Sequence, residues 1–258
     1  MFVNLLRIVR DRPRPVPQKN EVLMEALQYS IGKVMPFFTL AVLIIGSVYR
    51  VWRWQKAAVG NIAMFPSATS GSQLFKKVMG EVFWFSSFRN ENRSLWITTW
   101  PFHASIVLII LGHSRLITDW PLRVLLGLSE ETVHSISAWG GGVCGLLALA
   151  CCLFLLFRRF AISRVREISS GEDYGILLLL LFILVTGNIM RFYTHYDITQ
   201  VQLYFRTLFG AGETMVPPDR LFLMHYLAVQ MLLIYLPFGK FLHIPGIFFS
   251  RTLLAKDY

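Results

Sequence analysis

The sequence predicts an all-α integral membrane bundle of five transmembrane helices, preceded by an N-terminal interfacial segment. Three observations lead to that fold class. Of the 258 residues 55% are hydrophobic and only 16% charged, too apolar for a soluble domain of this length. The mean hydropathy is positive, +0.53. Five stretches are free of Asp, Glu, Lys and Arg: Val34 to Tyr49, Ser94 to Ser114, Thr132 to Phe157, Tyr174 to Met190 and Leu221 to Gly239. At a rise of about 1.5 Å per residue, each crosses a hydrocarbon core of roughly 30 Å, the shorter ones with help from flanking residues.

Residues 1–33 form a basic tail. Arg7, Arg10, Arg12 and Arg14 interrupt it before an apolar region long enough for a removable signal peptide develops, so the first span is expected to stay. The tail is read as an interfacial helix or a partner contact. Residues 34–247 make the five-span domain and residues 248–258 a cytoplasmic tail. Cys144, Cys151 and Cys152 all fall in the third span, where they act as small apolar side chains without disulfide or cluster spacing. No Cys-x-x-Cys-His occurs, which excludes covalent c-type haem attachment.

The formal charge of +10 belongs to loops and tails, where lipid head groups and topology account for it better than nucleic acid does. Fourteen Lys and Arg lie on the side holding the Arg50–Arg93 loop, the Arg158–Arg166 loop and the C-terminal tail, against eleven on the other. Six of those eleven are in the N-terminal tail, from Arg7 to Lys33. The count puts the N-terminus outside and the C-terminus in the cytoplasm, with the tail running against the rule.

The chemistry-bearing residues are histidines. His103 and His113 sit ten residues apart in the second span, and His225 and His243 eighteen apart in and just beyond the fifth. Three crossings join these spans, so they run antiparallel, bringing His103 level with His243 and His113 level with His225. The steps correspond to rises of about 15 and 27 Å, which places two metals on the order of 20 Å apart. Eighteen residues at about 100° each return His243 to the face of His225, whereas ten leave His113 about 80° from His103. Tilt or bending at Pro237, Gly239 or Pro245 is needed to reconcile the rises. Two histidines from facing helices do not fill a zinc or copper sphere, but they fill both axial positions of a porphyrin iron. Such an iron transfers electrons and does not readily bind oxygen. The alternative is four bundle histidines hydrogen-bonded to backbone or hydroxyls, although ionisable groups inside a membrane are functional by default.

The ten-residue step in WPFHASIVLIILGHS and the eighteen-residue step in MHYLAVQMLLIYLPFGKFLHIPG resemble the gamma subunit of respiratory nitrate reductase, a five-span dihaem cytochrome b. SLWITTWPFH, following a longer basic and aromatic loop, is similar to relatives of that subunit in sulfite-reduction-associated and heterodisulfide-reductase membrane complexes of prokaryotes. The resemblance covers roughly residues 34 to 247. It implies two b haems in the cell inner membrane, the outer held by His113 and His225 and the inner by His103 and His243. It also implies a quinone or quinol site beside the outer haem, near Gly112.

Quinol oxidation releases two protons with two electrons, so that site needs hydrogen-bonding groups and a polar route to water. His134 and Arg115 are candidates, as are Asp119, Arg123, Glu130 and Glu131, against the alternative of interfacial anchoring. His195 in RFYTHYD reads as a loop residue. At the inner face KKVMGEVFWFSSFRNENRSLW, from Lys76 to Trp96, mixes basic and aromatic residues suited to lipid anchoring and to docking. With no cluster ligands of its own, the chain is expected to pass electrons to an iron-sulfur subunit of a larger respiratory complex. The competing classes are a histidine-containing transporter and a structural membrane anchor. The absence of Asp and Glu from the five charge-free cores weighs against proton-coupled transport.

Overall fold

A computed structural model describes residues 19–56, 71–118, 123–124, 127–194, 198–210, 215–240, 243 and 246. All regular structure among them is helical. Helix α1 (Lys19–Tyr29) passes through a π turn (Ser30–Val34) into α2 (Met35–Lys56), making one continuous helical segment of 38 residues. Then follow α3 (Gly71–Trp84), α4 (Ser86–Glu91), α5 (Arg93–His113), α6 (Glu130–Ala161), α7 (Ser163–Glu167), α8 (Gly171–Phe192), α9 (Ile198–Leu208) and α10 (Arg220–Tyr235). Lys19–Lys56, Arg93–Leu116, Glu130–Ala161 and Gly171–Phe192 are long and apolar enough to cross a membrane, and the chain is an integral membrane protein.

The helix boundaries follow from capping chemistry. Side-chain oxygens of Asn92, Ser129 and Asp219 accept from the backbone N–H groups of Leu95, Thr132 and Phe222, satisfying otherwise orphaned donors at the starts of α5, α6 and α10. Helix α6 carries Glu130 and Glu131 in its first turn and Arg158 and Arg159 in its last, each sign matched to the helix dipole. Ser170 and Asp173 form a capping box at the start of α8.

Two boundaries differ from the charge-free segments. The first helix starts at Lys19, ahead of Val34, because the charges of its first turns do not prevent helix formation. The last apolar segment does not continue as helix to Gly239: α10 ends at Tyr235 after 16 residues, roughly 24 Å of rise. Pro237 has no N–H for a further helical hydrogen bond, and a turn follows. His243 therefore lies beyond the helix, and the shared helical face argued from eighteen residues is not what aligns it with His225.

Helix α5 packs on α6, α6 on α8, α8 on α10 and α10 on α2. Phe102, Ala148, Cys151, Cys152, Leu177, Leu180 and Leu184 form the core between α5, α6 and α8. Small residues on α6 let α8 approach closely, as is common where the solvent is lipid and hydrophobic burial drives little. Outward-facing Ile45, Val48, Ile110, Phe157 and Trp139 are exposed, as a lipid-facing surface requires.

At the opposite edge, Val201, Tyr204, Leu208, Val216, Phe222 and Leu223 pack α9 against α10. The π turn meets side-chain donors there: Tyr204 Oη donates to the Gly32 carbonyl at 2.6 Å and Gln230 Nε2 to the Ile31 carbonyl at 3.1 Å. Burial pushes the Tyr204 phenol above its ordinary range, so it remains a donor at physiological pH.

Candidate functional site

Helix α5 carries His103 and His113 and α10 carries His225; α5 packs on α6, α6 on α8 and α8 on α10. The rings of His103 and His243 stand 6.1 Å apart, centroid to centroid, with planes at 80°. A metal–imidazole bond of about 2.0 Å and a ring radius of about 1.1 Å put two rings sharing one metal roughly 6 Å apart. The observed spacing therefore fits a bis-imidazole iron. His113 and His225 are near enough to interact electrostatically.

Hydrogen bonding sets the ring tautomers. His103 Nδ1–H donates to the Thr99 carbonyl at 2.8 Å, His113 Nδ1–H to the Ile109 carbonyl at 2.7 Å and His243 Nδ1–H to the Lys240 carbonyl at 3.2 Å. A carbonyl only accepts, so the proton is on Nδ1 and the lone pair on Nε2. His225 reaches the same state through a side chain. Thr186 donates its hydroxyl proton to the Phe182 carbonyl at 2.8 Å, and its oxygen accepts from His225 Nδ1–H at 2.9 Å. Fixing the ring through one nitrogen while the other faces a metal is the usual arrangement for a ligating histidine. Among the described residues, no three His, Cys, Asp or Glu side chains gather where they could hold a bare metal ion. The donors present are imidazoles, and the His103–His243 spacing fits a haem iron rather than a bare metal ion.

Thr186 and Gly187 on α8 are site residues that the sequence did not reveal. A Cβ at Gly187 would stand 3.2 Å from His225 Cε1, so glycine there admits the ring. At the other end of α8, Asp173 pairs with Lys240 Nζ at 2.9 Å, and Glu172 accepts from Tyr235 Oη. These contacts tie the chain just before His243 to the start of α8. A threonine in an apolar helix ordinarily satisfies its hydroxyl on its own backbone, so nothing in the sequence separates Thr186 from that behaviour. Lys240 gives a faint signal as the one charge between the last apolar run and His243.

The remaining candidates are spread around the C-terminal end of α5. Gly112 is exposed, and a Cβ there would meet no atom within 4 Å. Arg115 is buried, and its carbonyl accepts from Gln202 Nε2 at 2.9 Å. His134 is exposed near the start of α6. Arg123 and Glu130 form an exposed ion pair at 3.6 Å. A cleft of about 650 Å³ beside them is lined by Thr118, Arg123, Gly127, Ser129 and Arg206, among others. Asp119, His195, residues 1–18 of the basic tail and the 248–258 tail lie outside the described residues.

The nitrate reductase gamma subunit family model matches residues 80–258. The chain is 28% identical over 263 residues to the Hdr-like menaquinol oxidoreductase cytochrome b-like subunit of Archaeoglobus fulgidus, covering 86% of this chain and 78% of that one. The protein of the same description from Archaeoglobus profundus is also 28% identical, over 84% of this chain and 76% of its own length. The nitrate reductase gamma chain of Bacillus subtilis is 26% identical over 155 residues, 60% of this chain and 59% of that one.

Proposed function

The chain belongs to the nitrate reductase gamma subunit family, and on that premise we propose that it carries electrons between the quinone pool and a cytoplasmic iron-sulfur subunit through two b haems, one per histidine pair. The observation that supports this most directly is the 6.1 Å spacing of the His103 and His243 rings. A b haem held by these imidazoles would supply one-electron exchange.

In this reading α10 and the turn after it complete the fifth crossing, the N-terminus is outside and the C-terminus is in the cytoplasm of a prokaryotic cell. His113 and His225 then face the outer side, where Gly112 leaves open space beside the first ligand for a quinol head group. Near that end Arg115 is suited to donating a hydrogen bond to the quinol head group and His134 to receiving its protons. At the inner side, the exposed Phe75, Phe83, Trp84 and Phe88 of α3 and α4, with Lys76 and Arg89, anchor these two helices in head groups and receive the partner.

The test separates entry from exit. In His103→Ala the outer haem should still be reduced by quinol while electrons fail to reach the iron-sulfur partner. In His113→Ala the inner haem should be reducible from the partner side and respond poorly to quinol. Each variant must keep one spectroscopically intact haem. An outer haem unreactive with quinol in the first, together with an inner haem reduced at the normal rate in the second, contradicts the assignment. A tag after Tyr258 tests sidedness independently: it should be reached only from the cytoplasm, and labelling only from outside would reverse the topology.

A further inference from the structure

Phe85 joins α3 to α4 with φ 49° and ψ 49°, the one non-glycine among the described residues with positive φ. For a bulky side chain that conformation is a genuine outlier, and such strain persists only where the surroundings enforce it. They do so here from both sides. The Glu81 carboxylate on α3 accepts from Ser87 N at 3.3 Å and Ser87 Oγ at 2.5 Å, which fixes the first turn of α4. The carbonyls of Phe83 and Trp84, at the end of α3, accept from Trp100 Nε1 at 2.8 Å and Trp96 Nε1 at 2.7 Å on α5. The indole of Trp84 stacks on that of Trp100, centroids 5.7 Å apart and planes within 4°.

An elbow that needed only a left-handed turn would carry glycine or asparagine at little cost. This one carries a phenylalanine, and its ring is turned inward. Phe83, Trp84 and Phe88 around it are exposed, whereas Phe85 is half-buried, its ring 5.1 Å from that of His103 with planes at 80°. The Thr99 carbonyl holds His103 at one atom, Nδ1. One hydrogen bond locates an edge of the imidazole and leaves the ring able to rock about it. A near-perpendicular neighbour supplies the second restraint, and Phe102, at 5.4 Å and 88°, restricts it further.

We propose that Phe85 is a positioning residue for the inner haem: the strained elbow holds its phenyl ring against His103 and so fixes the imidazole plane relative to that of His243. The proposal rests on the reading of His103 as a haem ligand. The elbow is also the surface proposed to receive the partner, so the ligand's orientation is coupled to the face through which electrons leave.

The test uses the full-length purified protein and compares Phe85→Gly and Phe85→Asn, both tolerant of positive φ, with Phe85→Tyr, which keeps an aromatic ring. The inner haem is identified as the one lost in His103→Ala. Phe85→Gly and Phe85→Asn should melt no lower than the parent protein. Their inner haem should show a shifted midpoint potential and a broadened ferric electron-paramagnetic-resonance signal, with the outer haem unchanged and Phe85→Tyr restoring the parent values. Two haems with unaltered potentials and signals in Phe85→Gly would overturn the proposal and leave the haem assignment standing. Loss of both haems together with a lowered melting temperature in Gly and Asn variants alike would make Phe85 a folding residue and also overturn it. A parent protein without haem would remove the premise itself.

Discussion

At the proposed outer pair, His225 takes its ring orientation from another helix, through the Thr186 hydroxyl at 2.9 Å, whereas at the proposed inner pair His243 takes its own from the Lys240 carbonyl three residues earlier. The inner arrangement is local in sequence and lies past the end of α10 at Tyr235. It depends instead on Lys240 being held by Asp173. Both routes lead to α8. That helix contributes no histidine, yet its middle orients one proposed ligand and its N-terminus anchors the segment carrying another. The difference teaches that a ligand inside a helix needs only a second point of contact, while a ligand beyond a helix end needs its backbone secured.

Breaking the comparison at its strongest point calls for Thr186→Val, which keeps the shape and removes the oxygen. Loss of such a supporting contact typically weakens a metal site about 10- to 100-fold. The outer haem should be lost preferentially on dilution or competition while the inner haem stays, and Thr186→Ser should restore it. Equal retention of both haems in Thr186→Val would remove Thr186 from the account. Gly187→Ala should act in the same direction and less strongly, since the ring must yield only by tenths of an ångström to a Cβ 3.2 Å away; the readout is the outer haem's midpoint potential.

At the inner pair, Asp173→Asn weakens the tie to Lys240 and should selectively disturb the inner haem. The effect should be small, about 1 kcal/mol or less, because the lysine side chain is 64% exposed and water screens the pair. A drop in outer-haem content alone would show that the two ends of α8 do not act separately. Gly112→Ala should have the least effect on folding, since its Cβ meets no atom of the chain and alanine favours the helix by about 1 kcal/mol. Any loss of quinol oxidation in that variant, with melting preserved, reports a head group in the space beside His113. Unchanged quinol kinetics would move that site elsewhere.

Charge-free runs located the four long helices because membrane burial is written residue by residue in the composition. The order of the crossings alone predicts that His103 lies level with His243, and their rings stand 6.1 Å apart. Less legible was where helices start and stop. The charges of Lys19, Glu21, Glu25 and Lys33 conceal a helix whose turns need not all lie in hydrocarbon, and Pro237 ends one whose composition stays apolar to Gly239. The angular argument relating His243 to His225 fails at that break, although His243 still meets His103. The supporting residues could not be read at all: Thr186, Gly187 and Phe85 look ordinary until folding brings α8 to α10 and α3 to α5.

The claim beneath all of these is that four histidines hold two haems. A pyridine haemochrome assay on the purified chain, referenced to protein by amino-acid analysis, measures it directly. The account predicts two b haems per chain, and a value of one or none would contradict it.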